Sequence, residues 1–223
     1  MVVGFDWPTA GSALAYAYDR VQAQNAAAML TRGGIIPFAR YTVKDCPIFI
    51  HVMAHSMGAF VVREAFRAVD KARDADLSND WRVGQMVLFA GDVSSACFEL
   101  DHADMSSVFE HCGRLTNYFS GYDEALGVSN VKNIDIESRV GRVGMPADTP
   151  AHEKAVDVDC GPRYCAVPKR KLKVIDGMVS HSWYLEDPVW YDDLAHTLAG
   201  KIDRDSIPTR TRAGQNDFVL KEK

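Results

Sequence analysis

The residues with the clearest chemical potential form the pentapeptide Ala54-His55-Ser56-Met57-Gly58. A mostly apolar run of strand length, residues 48–53, precedes it, and a helical pattern over residues 57–69 follows it. This order of strand, sharp turn and helix is typical of a nucleophile elbow, in which small neighbours lift the serine to the edge of a sheet. We therefore predict that Ser56 is a catalytic nucleophile.

The start of the predicted helix would stabilise negative charge on an attacked carbonyl. Backbone N–H groups at a helix N-terminus lack helical acceptors, and the helix dipole favours anions there. The N–H of Met57 is therefore expected to donate to the oxyanion of a tetrahedral intermediate. Ala54 replaces the first glycine of the usual Gly-x-Ser-x-Gly pattern, and alanine is small enough for the turn. A serine that only caps a helix is the structural alternative.

A serine nucleophile needs a histidine base, and the histidine needs an acid that orients it. In folds that carry such an elbow, the chain order is serine, acid, histidine. Three histidines come late enough in the chain: His152, His181 and His196. His152 lies in an irregular stretch and His196 in the middle of a predicted helix. His181 follows a predicted strand at residues 171–175 and a turn, so it is the predicted base.

Two acids could orient His181. Asp92 follows a predicted strand at residues 83–90, and Asp123 follows another at residues 114–119. Both would lie at the carboxyl edge of a parallel sheet, where sites of this kind are built. Asp123 is preferred because it follows the later strand, and Asp92 remains the alternative. Capping of the next helix is the structural role open to either residue.

Three further side chains are expected near the site. His55 lies within the elbow, and Trp183 and Tyr184 follow His181, so all three are predicted to line a substrate pocket. Ordinary core packing is the alternative for the aromatic pair. The five cysteines are irregularly spaced and fit neither a zinc nor a thioredoxin-like motif, so no metal and no organic cofactor is expected.

Composition narrows the class of protein. The chain has 223 residues and 47% hydrophobic content, which suits a globular domain. Its formal net charge is −5, and acidic and basic residues are interspersed. The sequence has no stripe of basic residues of the kind that would indicate nucleic-acid binding. The first residues lack a signal-peptide pattern, and no apolar run could span a membrane. A cytoplasmic protein that acts on a small molecule is therefore expected.

Strand-like runs alternate with helical patterns along the chain. Strands are predicted at residues 2–5, 48–53, 83–90, 114–119, 156–158 and 171–175, and helices at residues 12–30, 57–69, 122–128 and 188–199. Gly33 and Gly34 are expected to end the first helix. The alternation predicts an α/β domain over residues 1–200, with a mostly parallel sheet covered by helices on both faces. A polar tail with little structure is expected at residues 201–223.

A family resemblance rests on several segments in combination. They are Phe5-Asp6-Trp7-Pro8-Thr9-Ala10-Gly11, Tyr16-Ala17-Tyr18-Asp19, the elbow, Leu88-Phe89-Ala90-Gly91-Asp92, Tyr118-Phe119-Ser120-Gly121-Tyr122-Asp123-Glu124-Ala125-Leu126 and Arg142-Val143-Gly144. Together they resemble the α/β-hydrolase superfamily, and within it the mainly bacterial family called domain of unknown function nine hundred. The resemblance implies a serine-hydrolase fold and favours Asp123 as the acid, but it implies little about the substrate.

The resemblance also sets an expectation for the N-terminal part. Superfamily members place four strands before the elbow, whereas this chain has room for one, from Val2 to Phe5, and lacks the His-Gly segment that supplies a second oxyanion donor. The fold is therefore expected to be N-terminally short, by truncation or by nature. A strand from Val2 to Phe5 without its neighbour is expected to pair with another copy of the chain or with a displaced segment.

These observations predict a serine hydrolase that acts on carboxylic esters through an acyl-enzyme on Ser56, with His181 as base and Asp123 as orienting acid. The alternative is a non-catalytic or weakly active relative that binds a small molecule or a protein. The absent second donor favours this alternative, because loss of one such donor lowers turnover by about a hundred- to a thousandfold.

Overall fold

A computed structural model describes residues 1–10, 15–38, 49–72, 81–99, 103–127, 138–149, 153–168 and 179–222. The strands in these ranges are β1 (Val52–His55), β2 (Val83–Phe89), β3 (Cys112–Phe119), β4 (Ala155–Asp159), β5 (Arg210–Arg212) and β6 (Asp217–Leu220). The α-helices are α1 (Tyr16–Leu30), α2 (Met57–Ala72), α3 (Ser106–His111), α4 (Val140–Val143), α5 (Gly161–Ala166), α6 (Val179–Ser182) and α7 (Pro188–Ala199). None of the described helices combines the length and the apolar character needed to cross a membrane.

The six strands form one sheet in the order β1-β2-β3-β4-β6-β5. All neighbouring pairs are parallel except β5 and β6, which are antiparallel. The carboxyl ends of β1 and β2 are level, with His55 opposite Phe89, and those of β3 and β4 are level, with Phe119 opposite Asp159. The residues that follow these strands therefore meet at one edge of the sheet, which is where α/β proteins build their sites.

Helices cover both faces of the sheet, because β2 carries apolar side chains on both of its sides. Met86 and Leu88 pack into one apolar cluster with residues of α1 and α2, whereas Val87 and Phe89 pack into a second cluster with residues of α7 and β6. A strand that is apolar on both sides has to be covered twice, because its side chains alternate between the faces. The predicted α/β class, a mostly parallel sheet between two layers of helices, is confirmed.

The N-terminal segment differs from its prediction. Residues 2–5 do not form a strand, and the side chains of Val2 and Val3 are 98% and 65% exposed. An apolar run becomes a strand only where its backbone groups find a partner, and no described residue pairs with this one. The prediction of a strand edge from Val2 to Phe5 is therefore wrong; within the described ranges, β1 is an edge strand of the sheet.

The end of the first helix also differs from its prediction. Gly33 and Gly34 do not stop the helical path: they lie within a π-helical turn, Thr31–Ile35, that follows α1 directly. The hydroxyl of Thr31 donates to the carbonyls of Ala27 and Ala65, at 2.8 and 3.0 Å, and so ties this turn to α2. The predicted strand at residues 171–175 lies outside the described residues.

The segment after residue 200 is part of the sheet. β6 pairs with β4 and extends the parallel sheet, and β5 turns back against it. Phe218 and Leu220 are buried in the second apolar cluster. The prediction of a polar tail with little structure over residues 201–223 is therefore wrong. The strand β6 is only four residues long, and its alternation of exposed and buried residues is too short for sequence analysis to detect.

Candidate active site

The elbow predicted around Ser56 has the required geometry. Ser56 follows β1 directly, precedes α2, and adopts a left-handed backbone conformation with φ of 54°. Its N–H donates to the carbonyl of Phe89 at 3.2 Å, and its own carbonyl accepts from the N–H of Asp92 at 2.9 Å. The turn is therefore held on both sides by the residues that end β2. Ala54 is buried, so a methyl group fits where glycine is usual.

The structure brings Ser56, His181 and Asp123 into one hydrogen-bonded chain. Nε2 of His181 lies 2.8 Å from Oγ of Ser56, and Nδ1 of His181 lies 2.7 Å from Oδ2 of Asp123. A carboxylate can only accept, so Nδ1 carries the proton and donates to Asp123. Nε2 is then the unprotonated nitrogen and accepts from the hydroxyl of Ser56, which is the arrangement of a nucleophile with its base.

Asp123 combines the two roles that the sequence left open to it. Its side chain is fully buried. Oδ1 accepts from the N–H of Leu126 at 3.0 Å and so caps the short helical stretch at residues 124–127, which leaves Oδ2 for His181. Ser180, beside His181, accepts from the N–H of Glu124 at 3.1 Å and joins the two segments. The carboxylate is thus fixed in orientation by its own backbone.

The two aromatic residues that follow His181 pack in the protein core and hold its segment in place. Trp183 and Tyr184 are fully buried and pack in the second apolar cluster, with ring centroids 4.7 Å apart. Neither side chain offers surface to a substrate beside Ser56, so core packing, and not pocket lining, describes both. This packing fixes the chain that follows His181 and therefore the position of the imidazole.

His55 contacts His181 from the elbow side. Its Nε2 lies 3.1 Å from the carbonyl of His181 and donates to it, and its ring stacks on Phe89 with centroids 4.8 Å apart. Burial, with a smaller contribution from the neighbouring His181, lowers the pKa of His55 to about 4. The ring is therefore neutral near pH 7 and acts as a hydrogen-bond donor to the backbone of His181, a role that sequence analysis did not assign to it.

Among the described residues, the N–H of Met57 has no hydrogen-bond acceptor and is a candidate donor at the elbow. Met57 is the first residue of α2, so its N–H has no acceptor within the helix. The sixteen residues of α2 direct their dipole toward this point and favour negative charge there. The predicted oxyanion donor thus lies next to Ser56, at the N-terminus of α2, where free N–H groups and the helix dipole both favour an anion.

Asp92, the alternative acid, has other partners. Its Oδ2 accepts from the hydroxyl of Tyr16 at 2.8 Å, and its Oδ1 lies 3.2 Å from Nε of Arg139. Burial and the charge of Asp92 raise the pKa of Tyr16 to about 12, so Tyr16 remains a donor. Asp92 therefore joins α1 to the end of β2, and it is Asp123 that contacts His181.

One segment at the site was not recognised from sequence. Residues 138–145, here called the crossing segment, run across the carboxyl ends of β2 and β3. The N–H of Gly141 donates to Gly91 at 3.0 Å, and its carbonyl accepts from Ser120 at 3.0 Å. Arg142 donates from Nη1 to the carbonyl of Asp123. The only signal for it was the Arg142-Val143-Gly144 part of the family resemblance.

Of the other two histidines that the sequence offered as bases, only His196 lies within the described residues, and no hydrogen bond joins it to Ser56 or Asp123. His152 lies outside the described residues, and His196 is on α7 beside Asp192. Among the described residues, one group has the residue types of a metal site: Asp70, Glu110 and His111. It lies at the amino end of β3, opposite to Ser56, and His111 is already paired, with Asp70 at 2.8 Å and the Trp81 carbonyl at 3.0 Å.

Comparison with known proteins supports the fold and the family. The sequence model of the family described as alpha/beta hydrolase of unknown function (DUF900) matches residues 1–198. No curated protein and no solved structure gives a significant match to the chain. The family match covers the elbow, the crossing segment and His181, and therefore all parts of the site.

Proposed function

Because the chain belongs to this family of α/β-hydrolases, we propose that it is a serine hydrolase that cleaves carboxylic esters. The proposal is carried by one observation, the chain of contacts from Ser56 Oγ to His181 Nε2 at 2.8 Å and from His181 Nδ1 to Asp123 Oδ2 at 2.7 Å. A buried carboxylate, an oriented imidazole and a serine on a strained turn form the machinery of acyl transfer.

The proposed reaction has two half-reactions. Oγ of Ser56 attacks the ester carbonyl while Nε2 of His181 takes its proton, and the carbonyl oxygen becomes an oxyanion facing the N–H of Met57. The bond to the alkoxy oxygen then breaks, and the alcohol leaves with the proton from His181. Water attacks the acyl-enzyme in the same way, which releases the acid and restores the serine.

Asp123 and His55 support His181 in this cycle by different means. Asp123 holds the proton on Nδ1 and stabilises the imidazolium that forms during each attack. His55 contacts only the backbone of His181 and serves as a positioning residue. An ester is the proposed substrate because an alcohol leaves more readily than an amine, which suits a site with the single proposed oxyanion donor, the N–H of Met57.

Labelling with a fluorophosphonate probe tests the proposal. The probe should attach covalently to the native protein at Ser56, and Ser56→Ala should abolish the labelling. Ser206→Ala, an exposed serine in a turn distant in sequence, is the matched control and should label as the native chain does. Hydrolysis of p-nitrophenyl acetate should fall about a thousandfold or more in Ser56→Ala.

Two results would contradict the proposal. Equal labelling of the native chain and Ser56→Ala would place the reactivity elsewhere. No labelling of a sample with a native circular dichroism spectrum would instead favour the non-catalytic binding alternative.

A further inference from the structure

A cavity of about 770 Å³ opens at the carboxyl ends of β3 and β4, next to the site but separate from it. Its walls include Phe119, the last residue of β3, Asp159, the last residue of β4, and Tyr122 in the turn before Asp123. This volume lies within the range of small-molecule sites. Among the described residues that line it, none is Ser56, His181 or Asp123.

The walls of the cavity combine aromatic rings with negative charge. Among the described residues, the charged side chains that line it are Asp159 and Glu222, and both are acids. Arg163, the cation on α5, is paired with Asp187 at 2.7 Å and also donates to the backbone carbonyl of Glu222. Aromatic faces attract cations through their quadrupoles, and a neighbouring carboxylate adds a direct attraction. This is the chemistry of sites that bind organic cations.

Tyr122 and Asp159 converge on one point. A methyl group built on Gly161 would lie 3.2 Å from the ring of Tyr122 and 3.0 Å from Oδ1 of Asp159. The ring and the carboxylate therefore lie side by side next to Gly161, where a larger residue would push them apart. The N–H of Gly161 donates to Oδ1 at 2.8 Å, which orients the carboxylate and leaves Oδ2 for a ligand.

We propose that this cavity binds a small organic ammonium ion, which contacts the ring of Tyr122 and the carboxylate of Asp159 on one wall of the cavity. Phe119 supplies a second aromatic surface, and Glu222 adds negative charge at the rim. The site does not depend on the proposed esterase function, because within the described residues no hydrogen bond or ring contact joins Tyr122, Asp159, Phe119 or Glu222 to Ser56 or His181. It is a second binding site at the same edge of the sheet.

A matched pair of ligands tests the proposal in the Ser56→Ala variant, so that the result is independent of hydrolysis. Choline carries a trimethylammonium group, and 3,3-dimethyl-1-butanol is its uncharged isostere. Titration followed by broadening of the ligand methyl signals in NMR should give saturable binding of choline. The isostere should bind at least about tenfold more weakly, since it lacks the charge that ring and carboxylate attract.

Variants then locate the binding. Asp159→Asn keeps the acceptor for Gly161 and should weaken choline binding about tenfold, whereas Asp205→Asn, an exposed acid paired with Arg212, should leave it unchanged. Tyr122→Leu should weaken it similarly, with Tyr191→Leu, another half-exposed tyrosine, as control. Equal binding of the two ligands, no saturable binding of choline, or binding unaffected by both cavity variants would overturn the proposal.

Discussion

Ser56 occupies a backbone conformation that costs free energy. A non-glycine residue with φ near 54° is disfavoured by roughly 1–2 kcal/mol, and Ala90, at the end of the neighbouring strand, has a φ of 48°. Hydrogen bonds from Ser56 to Phe89 and from Asp92 to Ser56 offset this cost. The nucleophile is therefore positioned by the strand beside it as much as by its own.

At the same scale, His55 offers a test of how His181 is positioned. His55→Phe keeps an aromatic ring on Phe89 but removes the N–H that donates to the carbonyl of His181. We expect kcat for ester hydrolysis to fall about tenfold, because a tenfold change in rate corresponds to the free energy of about one hydrogen bond. KM should change little. His55→Gln, which places an amide donor at a similar distance, should recover part of kcat. Equal loss in both variants would argue against this role.

His55 also predicts a dependence of stability on pH. Because its pKa is lowered from 6.5 to about 4 in the folded protein, the unfolded chain binds a proton between these values and the folded protein does not. The free energy of unfolding should therefore fall as the pH is lowered through this window, by a contribution that His55→Phe lacks. Urea titrations at pH 7 and pH 5 measure it, and a variant that loses as much stability as the native chain would contradict it.

At the scale of elements, the crossing segment bridges the carboxyl ends of β2 and β3 beside the site. It pairs with the turn after β2, through Gly141 and Gly91, and with the end of β3, through Ser120. A methyl group on Gly141 would overlap the backbone of Ala90 and Gly91. Only glycine allows this approach, and the same turn donates from Asp92 to Ser56.

Gly141→Ala should therefore damage both stability and activity. We expect a loss of about 3 kcal/mol or more in the free energy of unfolding, because two backbones must separate to admit the methyl group. Gly33→Ala is the matched control: nothing lies within 4 Å of its added carbon, so its stability should be unchanged or up to about 1 kcal/mol higher. Urea denaturation of the two variants measures the difference, and similar stabilities would refute the explanation.

Sequence pattern predicts elements well where the signal is long. α2, β2 and β3 follow their predicted positions because each buries several apolar residues, and α7 follows its prediction because Pro188 marks its first turn. The residues placed at the site, Ser56, Asp123 and His181, follow from chain order together with the elbow. The crossing segment and β6 escape prediction because each is short and owes its structure to distant partners. The segment from Val2 to Phe5 has an apolar pattern that predicts a strand, but no strand forms because no described segment pairs with it.

At the scale of the whole molecule, one buried network joins the second layer of helices to the end of the chain. Asp193 on α7 is fully buried and accepts from Nη2 of Arg210 at 2.6 Å, from the hydroxyl of Tyr118 at 2.6 Å and from Thr209 at 2.7 Å. A buried charge is tolerated only when it is paired and hydrogen-bonded. Asp193 and Arg210 thus require each other.

Arg210→Met should destabilise the fold strongly. The change leaves the carboxylate of Asp193 buried without its counter-charge, so the free energy of unfolding should fall by about 3–5 kcal/mol. Addition of Asp193→Asn removes the unpaired charge, and its amide oxygen can still accept from Tyr118 while its NH2 group can donate to the hydroxyl oxygen of Thr209, so the double variant should recover part of this loss. Arg212→Met, at the half-exposed pair with Asp205, should cost less than about 1 kcal/mol and is the control. Equal losses in the two single variants would refute the prediction.

The place of β6 between β4 and β5 has a consequence for how the protein is made. A chain emerging from the ribosome presents α7 and its buried Asp193 before Arg210 exists, and it presents β4 before the strand that pairs with its outer side. During that interval β1, β2 and β3 can pair, while β4 and the second apolar cluster stay open to water and to other nascent chains. Protection of this sheet edge from aggregation therefore waits for the synthesis of β6.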